Sequence, residues 1–414
     1  NKKEAIRIIK DAYHNEPLFV EGYFESGLTK DDLNQISQTH PIMIRHNDYH
    51  SLTVNQVALD MINIKDSNGV LTEEDAQMAM DNYPKHSDQA LDKILENSIS
   101  KLNSYGITGG HSDDLSYFNG FKATLGVFDR VLDKKPFRAH LLVHHLVLDD
   151  YLKSNRVQLN QTPYLQLGAI KMFYDGTISS KTALMKNNYL STSSNGLRIH
   201  EIKTFEEMVK KARKHGLNVA IHIIGDQALL EALDILKKYP PQLGEHDRLI
   251  HTSFMDQKAV EMMRKMPISI DIQPQFLSSD IPWALDYFSQ TPEFVYPWKT
   301  LYDQKINLAG SSDAPVEIPN PLLGIHAAVT RISDHDHQAY FKNECLSRFE
   351  AIMLYTRYAN YSTMDNNRGY LQKGYIADLS IFEENLEQTP IDNLKKDICY
   401  MTVINEHIVY KKSH

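Results

Sequence analysis

The stretch GLNVAIHIIGDQA, residues 216–228, leaves one helix, runs through a strand and enters a second helix. Its centre, LNVAIHII (217–224), is almost continuously apolar, the pattern of a strand covered on both faces rather than one. Upstream, Thr204 and Glu207 predict a capping box for a helix with the apolar stripe Phe205, Met208, Val209 and Ala212, and Gly216 predicts its end. Downstream, Leu229, Leu230, Leu233 and Leu236 predict a helix that stops at Tyr239-Pro240-Pro241. Helix, buried strand and helix in this order make a parallel βα unit.

The unit repeats in both directions. RLIHTS (248–253) and ISIDIQP (268–274) are strands separated by the helix DQKAVEMMRK (256–265). Before the central strand lie GITGGHSD (106–113), RAHLLVHHLVL (138–148) and LGAIKMFYDG (167–176), and the last strand runs into LAGSSDAPVEIP (308–319). Strands near 107, 141, 170, 220, 250, 271 and 307 predict an α/β fold of the (β/α)8 TIM-barrel type, one strand short, in preference to a doubly wound sheet. Residues 1–105 read as an insertion and helical segment, with extended pieces PLFVEGYF and PIMIRHND and a helix carrying Leu91, Ile94, Leu95, Ile99 and Leu102. Residues 106–365 form the predicted barrel. Residues 366–414, with GYIADLSIFEEN (374–385) and YMTVINEHIVYKK (400–412), read as hairpin strands of a small β-structure outside the barrel.

Composition excludes several classes of partner. A 414-residue chain with 42% hydrophobic and 23% charged residues has the make-up of an ordinary soluble protein. A net charge of −9 argues against nucleic acid or an anionic membrane surface. No apolar run approaches the ~20 residues of a membrane span. The sequence opens directly on a helical pattern, Ala5, Ile8, Ile9 and Ala12, and a signal peptide is not expected from it. Cys345 and Cys399 are too few for a disulfide framework, so a reducing, cytoplasmic location is expected. Histidine, with 19 copies, is the residue to follow.

Four ionisable residues sit at or near the C-terminal ends of apolar strands: Lys171, His222, His251 and Asp313. In a barrel such positions converge on one site, and two imidazoles, a carboxylate and a lysine would suit a divalent transition metal, zinc first. Each has a plainer reading. A single histidine in an apolar strand is more often a hydrogen-bonded core residue than a ligand, and an Asp before Ala-Pro often forms a turn. A lysine in a buried strand is harder to dismiss, because an unpaired buried ammonium is costly.

At this point the sequence resembles the amidohydrolase superfamily, in particular its amidohydrolase-3 branch with the N-substituted formamide deformylases. The resemblance is carried by IRHNDYHSLTVNQVAL (44–59), GITGGHSD (106–113), KMFYDGTISSKTA (171–183), GLNVAIHIIGDQA (216–228), RLIHTS (248–253), QPQFLSSDIPW (273–283), GSSDAPVEIPNPLLGIHAAVTR (310–331) and GYLQKGYIADLSIF (369–382). It implies a hydrolase of a C–N bond in an amide, formamide or cyclic amide, with one or two metal ions on a barrel flanked by a β-sandwich. It further implies that Lys171, in carboxylated form, His222, His251 and Asp313 are the metal ligands, and that Asp313 shuttles the proton between the attacking water and the leaving amine. Residues 1–105 would then lie between the first and second barrel strands.

The resemblance also implies a first strand bearing His-x-His, and this sequence joins the pattern after it. Either the sequence is a piece of a longer protein, or the natural protein lacks the pair and is a non-catalytic binding or regulatory barrel. The first is preferred, because loss of a barrel strand exposes unpaired edges. Further candidates for substrate contact or support are His50, beside Tyr49 where the family has glycine, and His111, Asp175, Asp226 and Trp283. Asp226 either orients His222 or caps the following helix, and Asp175-Gly176 most simply forms a turn. His144 and His145, adjacent on a strand, are expected to face opposite ways. The expected partner is a small amide-type substrate, with a homodimer as the default assembly.

Overall fold

The computed structural model describes residues 1–414 apart from 24–26, 47–50, 66, 114, 116–118, 155, 157–162, 366 and 414. It divides into two compact units, Asn1–His86 and Ser87–His414.

The first unit starts with the predicted helix, Lys2–Ala12, capped where the Asn1 side chain accepts from the Glu4 amide at 3.0 Å. Four strands follow in the order β1 (Leu18–Tyr23), β2 (Ile42–His46), β3 (Ser51–Val54) and β4 (Val70–Thr72), the first pair parallel and the others antiparallel. Strand alternation divides β2 between two small cores: Ile42 and Ile44 pack with Ile9 and Leu33, while Met43 packs with Leu52 and Leu59.

The second unit holds seven parallel strands: β5 (Gly109–Ser112), β6 (Arg138–His144), β7 (Leu165–Phe173), β8 (Val219–Ile223), β9 (Asp247–His251), β11 (Ile268–Ile272) and β13 (Asn307–Gly310). A short antiparallel pair, β10 (Phe254–Met255) with β12 (Phe294–Val295), lies outside this sheet. Strands consecutive in the barrel sequence are hydrogen-bonded neighbours from β5 to β13, so the sheet winds in one direction, as in a TIM-type barrel. The intervening helices include Ile202–Lys214, Asp226–Lys238 and Gln257–Met263. The first of these begins earlier than its predicted capping box. The Glu201 carbonyl accepts from Phe205 N at 2.9 Å, placing Thr204 inside the first turn, where no side-chain cap forms. Gly216, at φ 69°, ends it as expected.

Seen residue by residue, the strands are less uniform than their apolar runs imply. Val219, Ile221 and Ile223 of β8, Leu249 of β9, and Ile268, Ile270 and Ile272 of β11 join the large core beneath the helices. The alternate residues face the barrel interior, where Leu142, Ala169, Ala220 and Ile250 form only a small apolar layer. Most other interior positions are polar.

At the C-terminus, β14 (Leu379–Phe382), β15 (Cys399–Ile404) and β16 (His407–Lys411) form the small flanking β-structure as an antiparallel sheet. The predicted helix Asp88–Ser104 packs on it, and Thr402 Oγ1 donates to the Asn103 carbonyl at 2.6 Å. Arg138 of β6 binds the buried Asp378 carboxylate through two nitrogens, Nη2 to Oδ1 at 2.9 Å and Nε to Oδ2, which joins the barrel to this sheet. Among the described residues no helix is long and apolar enough to cross a membrane.

Candidate active site at the C-terminal ends of the strands

Three of the four principal candidates form one buried cluster. Lys171 lies two residues before the end of β7, His222 is next to last in β8, and His251 ends β9. Their relative exposures are 8%, 8% and 5%. The rings of His222 and His251 are 4.6 Å apart and nearly perpendicular, and Lys171 Nζ lies 4.6 Å from the centre of the Phe173 ring. Asp313 follows β13 by three residues in an exposed turn at φ 54° and acts electrostatically on both Lys171 and His222. The turn reading and the site reading of this aspartate are therefore compatible.

His251 reaches the cluster by breaking the strand pattern. Ile250 already faces the interior, so regular alternation would send His251 outward; instead φ is 74° at His251 and 46° at Thr252. Its Nδ1–H donates to Gln273 Oε1 at 2.7 Å. The Gln273 amide nitrogen donates to the Asp271 carbonyl at 3.0 Å and to Ser311 Oγ at 2.8 Å, which identifies Oε1 as the acceptor. The lone pair of His251 is consequently on Nε2. His222 Nε2–H donates to the Gly176 carbonyl at 3.2 Å, leaving its lone pair on Nδ1.

Burial keeps both rings neutral. It drives His222 well below the usual histidine value, assisted by His251 and Lys171, and takes His251 down to about 3, assisted by Lys171. Burial also lowers the Lys171 ammonium, against the pull of the Asp113, Asp313 and Asp271 carboxylates.

The remaining candidates occupy different layers. Asp175 is fully buried and gathers three backbone donors: Leu184 N at 2.9 Å and Gly225 N at 2.8 Å on Oδ2, and Ile224 N at 3.0 Å on Oδ1. It thus ties the loop after β7 to the end of β8. Asp226 opens the helix Asp226–Lys238 and accepts from Lys186 N at 2.8 Å. His111, on β5, lies deeper, where Arg248 Nη2 donates to its Nδ1 at 2.9 Å. Arg248 also binds Asp271 Oδ2 through Nε at 2.9 Å and Nη2 at 2.8 Å, a buried ion pair inside the barrel. Trp283 donates from Nε1 to the Ser279 carbonyl at 2.7 Å and packs on Tyr287. His50 lies outside the described residues.

His144 and His145 do not face opposite ways. Strand β6 ends at His144 and a 3-10 turn begins at His145, so the period-two rule lapses between them and the rings stack at 4.6 Å. Gln273, Arg248, Asp271 and Phe173 escaped the candidate set. The visible trace of Asp271 was the strict apolar-polar alternation of ISIDI, and that of Arg248 a charged residue inside the buried strand DRLIH.

For a divalent cation the donor chemistry is suitable: two neutral imidazoles with free lone pairs, an aspartate, and a lysine able to become a carbamate. As they stand, no three His, Cys, Asp or Glu side chains among the described residues draw together closely enough to hold an ion.

A family model described as "Amidohydrolase family" matches residues 14–410, nearly the whole chain. The chain belongs to the amidohydrolase family. Among its similar relatives is the putative amidohydrolase YtcJ of Bacillus subtilis (strain 168), 36% identical over 434 residues, an alignment covering 96% of this chain and 80% of the relative. The N-substituted formamide deformylase of Arthrobacter pascens is 21% identical, with 92% and 74% of the two chains covered. In fold, this amidohydrolase chain is similar to an uncharacterized metal-dependent hydrolase from Pyrococcus horikoshii OT3, with TM-score 0.80, 23% identity, and 94% of this chain and 81% of that one covered.

Proposed function

We propose that this chain hydrolyses a C–N bond in a small amide, formamide or cyclic amide, with a divalent metal, zinc first, held by Lys171, His222, His251 and Asp313. The observation that carries this reading is the buried Lys171 ammonium beside two neutral imidazoles, His222 and His251, at adjacent strand ends. Burial disfavours the Lys171 cation even with the Asp113, Asp313 and Asp271 carboxylates acting on it, whereas addition of CO2 to the lysine amine with loss of a proton converts it to an anionic oxygen donor. The name of the Arthrobacter pascens relative supports formamides as one substrate class.

A divalent ion at these residues supplies Lewis acidity and lowers the pKa of a bound water. Gln273 holds His251 with Nε2 turned away from its hydrogen bond, and the Gly176 carbonyl does the same for Nδ1 of His222. Asp313, exposed at the rim, is placed in this reading to take the water's proton and deliver it to the departing nitrogen. The free thiols of Cys345 and Cys399 agree with a cytoplasmic setting.

Asp313→Asn tests the assignment. The variant is expected to keep its fold and metal content while turnover on a panel of amides and formamides falls by about 10²–10⁴-fold. Near-normal turnover would remove Asp313 from the proton path. A metal-loaded wild type that binds small amides but cleaves none would favour a binding barrel instead.

A further inference from the structure

A separate space lies at the other end of the barrel. Gly109, Arg138 and Leu165, the first residues of β5, β6 and β7, line a partly open cavity of about 310 Å³ together with Asp365 and Arg368. It therefore sits at the N-terminal ends of the strands, whereas Lys171, His222 and His251 lie at the C-terminal ends. Among the described residues its charged lining is Arg138, Arg368 and Asp365, two cations against one anion. Arg138 is committed: Nε and Nη2 bind Asp378, and Nη1 donates to the Pro163 carbonyl at 2.7 Å. Arg368 keeps donors in reserve. Its Nε donates to Asp365 Oδ2 at 2.9 Å and its Nη2 binds the same oxygen; among the described residues neither Nη1 of Arg368 nor Oδ1 of Asp365 completes a bond. Both side chains stay partly open, at 14% and 25% exposure. His111 and His140, with rings 5.0 Å apart, form another part of the wall. Burial holds both neutral, His140 at about 3, and the Arg248 and Arg368 guanidiniums assist. A field that keeps protons off two imidazoles favours an anion beside them.

We infer that this cavity is a binding site for a small hydroxycarboxylate, held by Arg368 and Asp365 and separate from the candidate metal cluster. The unused Nη1 of Arg368 carries two N–H donors, which suit a carboxylate in charge-assisted bonds. Oδ1 of Asp365 only accepts, so the ligand brings a donor beside its carboxylate. The arginine field opposes an ammonium in that place, which leaves a hydroxyl. The Asp365 carboxylate likewise disfavours a phosphate dianion more than a single carboxylate charge.

Lactate, propionate and alanine share one skeleton and differ at a single position, which carries a hydroxyl, a hydrogen or an ammonium. In ligand-observed NMR titrations of the full chain, lactate is expected to bind about tenfold more tightly than propionate, and alanine less tightly than lactate. Arg368→Gln should weaken lactate by about 10–100-fold with the urea midpoint unchanged. Asp365→Ala should erase the advantage of lactate over propionate, because the acceptor for the hydroxyl is gone. An unchanged lactate affinity in Arg368→Gln would place binding elsewhere, the metal cluster included, and overturn the site. Equal affinities for the three probes, or no binding of lactate, would overturn it too. Inorganic phosphate binding as tightly as lactate would overturn the hydroxycarboxylate class. Should Arg368→Gln misfold, Asp365→Ala decides, and a retained preference for lactate over propionate there would sink the assignment.

Discussion

Asp175→Asn is the most informative single change outside the cluster. Burial lifts the Asp175 carboxyl from 3.8 to about 7, against the opposing pull of its three backbone donors. A carboxyl whose folded pKa exceeds its unfolded one contributes stability that is complete below the unfolded value and lost as pH rises through the folded value. For Asp175 the window therefore runs from about 4 to about 7, and the shift corresponds to about 4 kcal/mol across it. Asparagine is neutral throughout. With its oxygen at the Oδ2 position it retains the bonds from Leu184 N and Gly225 N, but turns an NH2 group towards Ile224 N. Leaving that donor unsatisfied costs about 1–3 kcal/mol at every pH. The difference in unfolding free energy between variant and wild type should thus move in the variant's favour by about 4 kcal/mol between pH 4 and pH 7. Trp283 and Trp298, the chain's two tryptophans, both lie in the second unit, so urea titrations followed by their fluorescence report on this barrel. A difference that stays flat across the window would refute the reasoning.

Two further changes probe the cluster and its support, and a third the join between barrel and flanking sheet. Lys171→Ala should lower bound metal, measured by mass spectrometry of the washed protein, with partial recovery in formate or acetate; full metal content without additive would count against a carboxylated lysine. Gln273→Ala removes the acceptor for His251 Nδ1–H and should weaken metal affinity by about 10–100-fold in a chelator competition. Arg138→Ala leaves the Asp378 carboxylate buried without its guanidinium, at a cost of about 3–5 kcal/mol, read as a lower urea midpoint with an unchanged slope.

The barrel was legible because most of the central strands carry apolar residues where they face the helices, as Val219, Ile221 and Ile223 of β8 and Ile268, Ile270 and Ile272 of β11 do. Turns and helix ends such as Gly216 and Tyr239 punctuated those runs clearly. What local pattern could not supply was the direction of a side chain where regular geometry stops. His145 lies one residue past its strand, and His251 lies in a left-handed kink, so counting by twos misplaces both. Thr204 and Glu207 have the spacing of a capping box, yet the helix begins at Ile202 because the backbone of Glu201 can start it without a side-chain cap. The proposed site residues Lys171, His222, His251 and Asp313 stood out as ionisable residues in apolar frames. Their supports were not: Gln273 holds His251 across 22 residues of sequence, and Asp175 collects amides up to 50 residues away.

The division of the strands into an apolar outer face and a largely polar interior bears on how this protein can change. In many barrels the interior is filled with branched aliphatic side chains, so altering a residue there opens a cavity in the structural core. Here the main apolar mass lies between sheet and helices, and the interior carries only a thin layer around Leu142, Ala169, Ala220 and Ile250. Chemistry and cohesion are thereby assigned to opposite sides of the same seven strands. New ligand-facing residues can be tried at alternate positions while the shell that holds the barrel together stays as it is, provided that the buried Arg248–Asp271 pair is left intact.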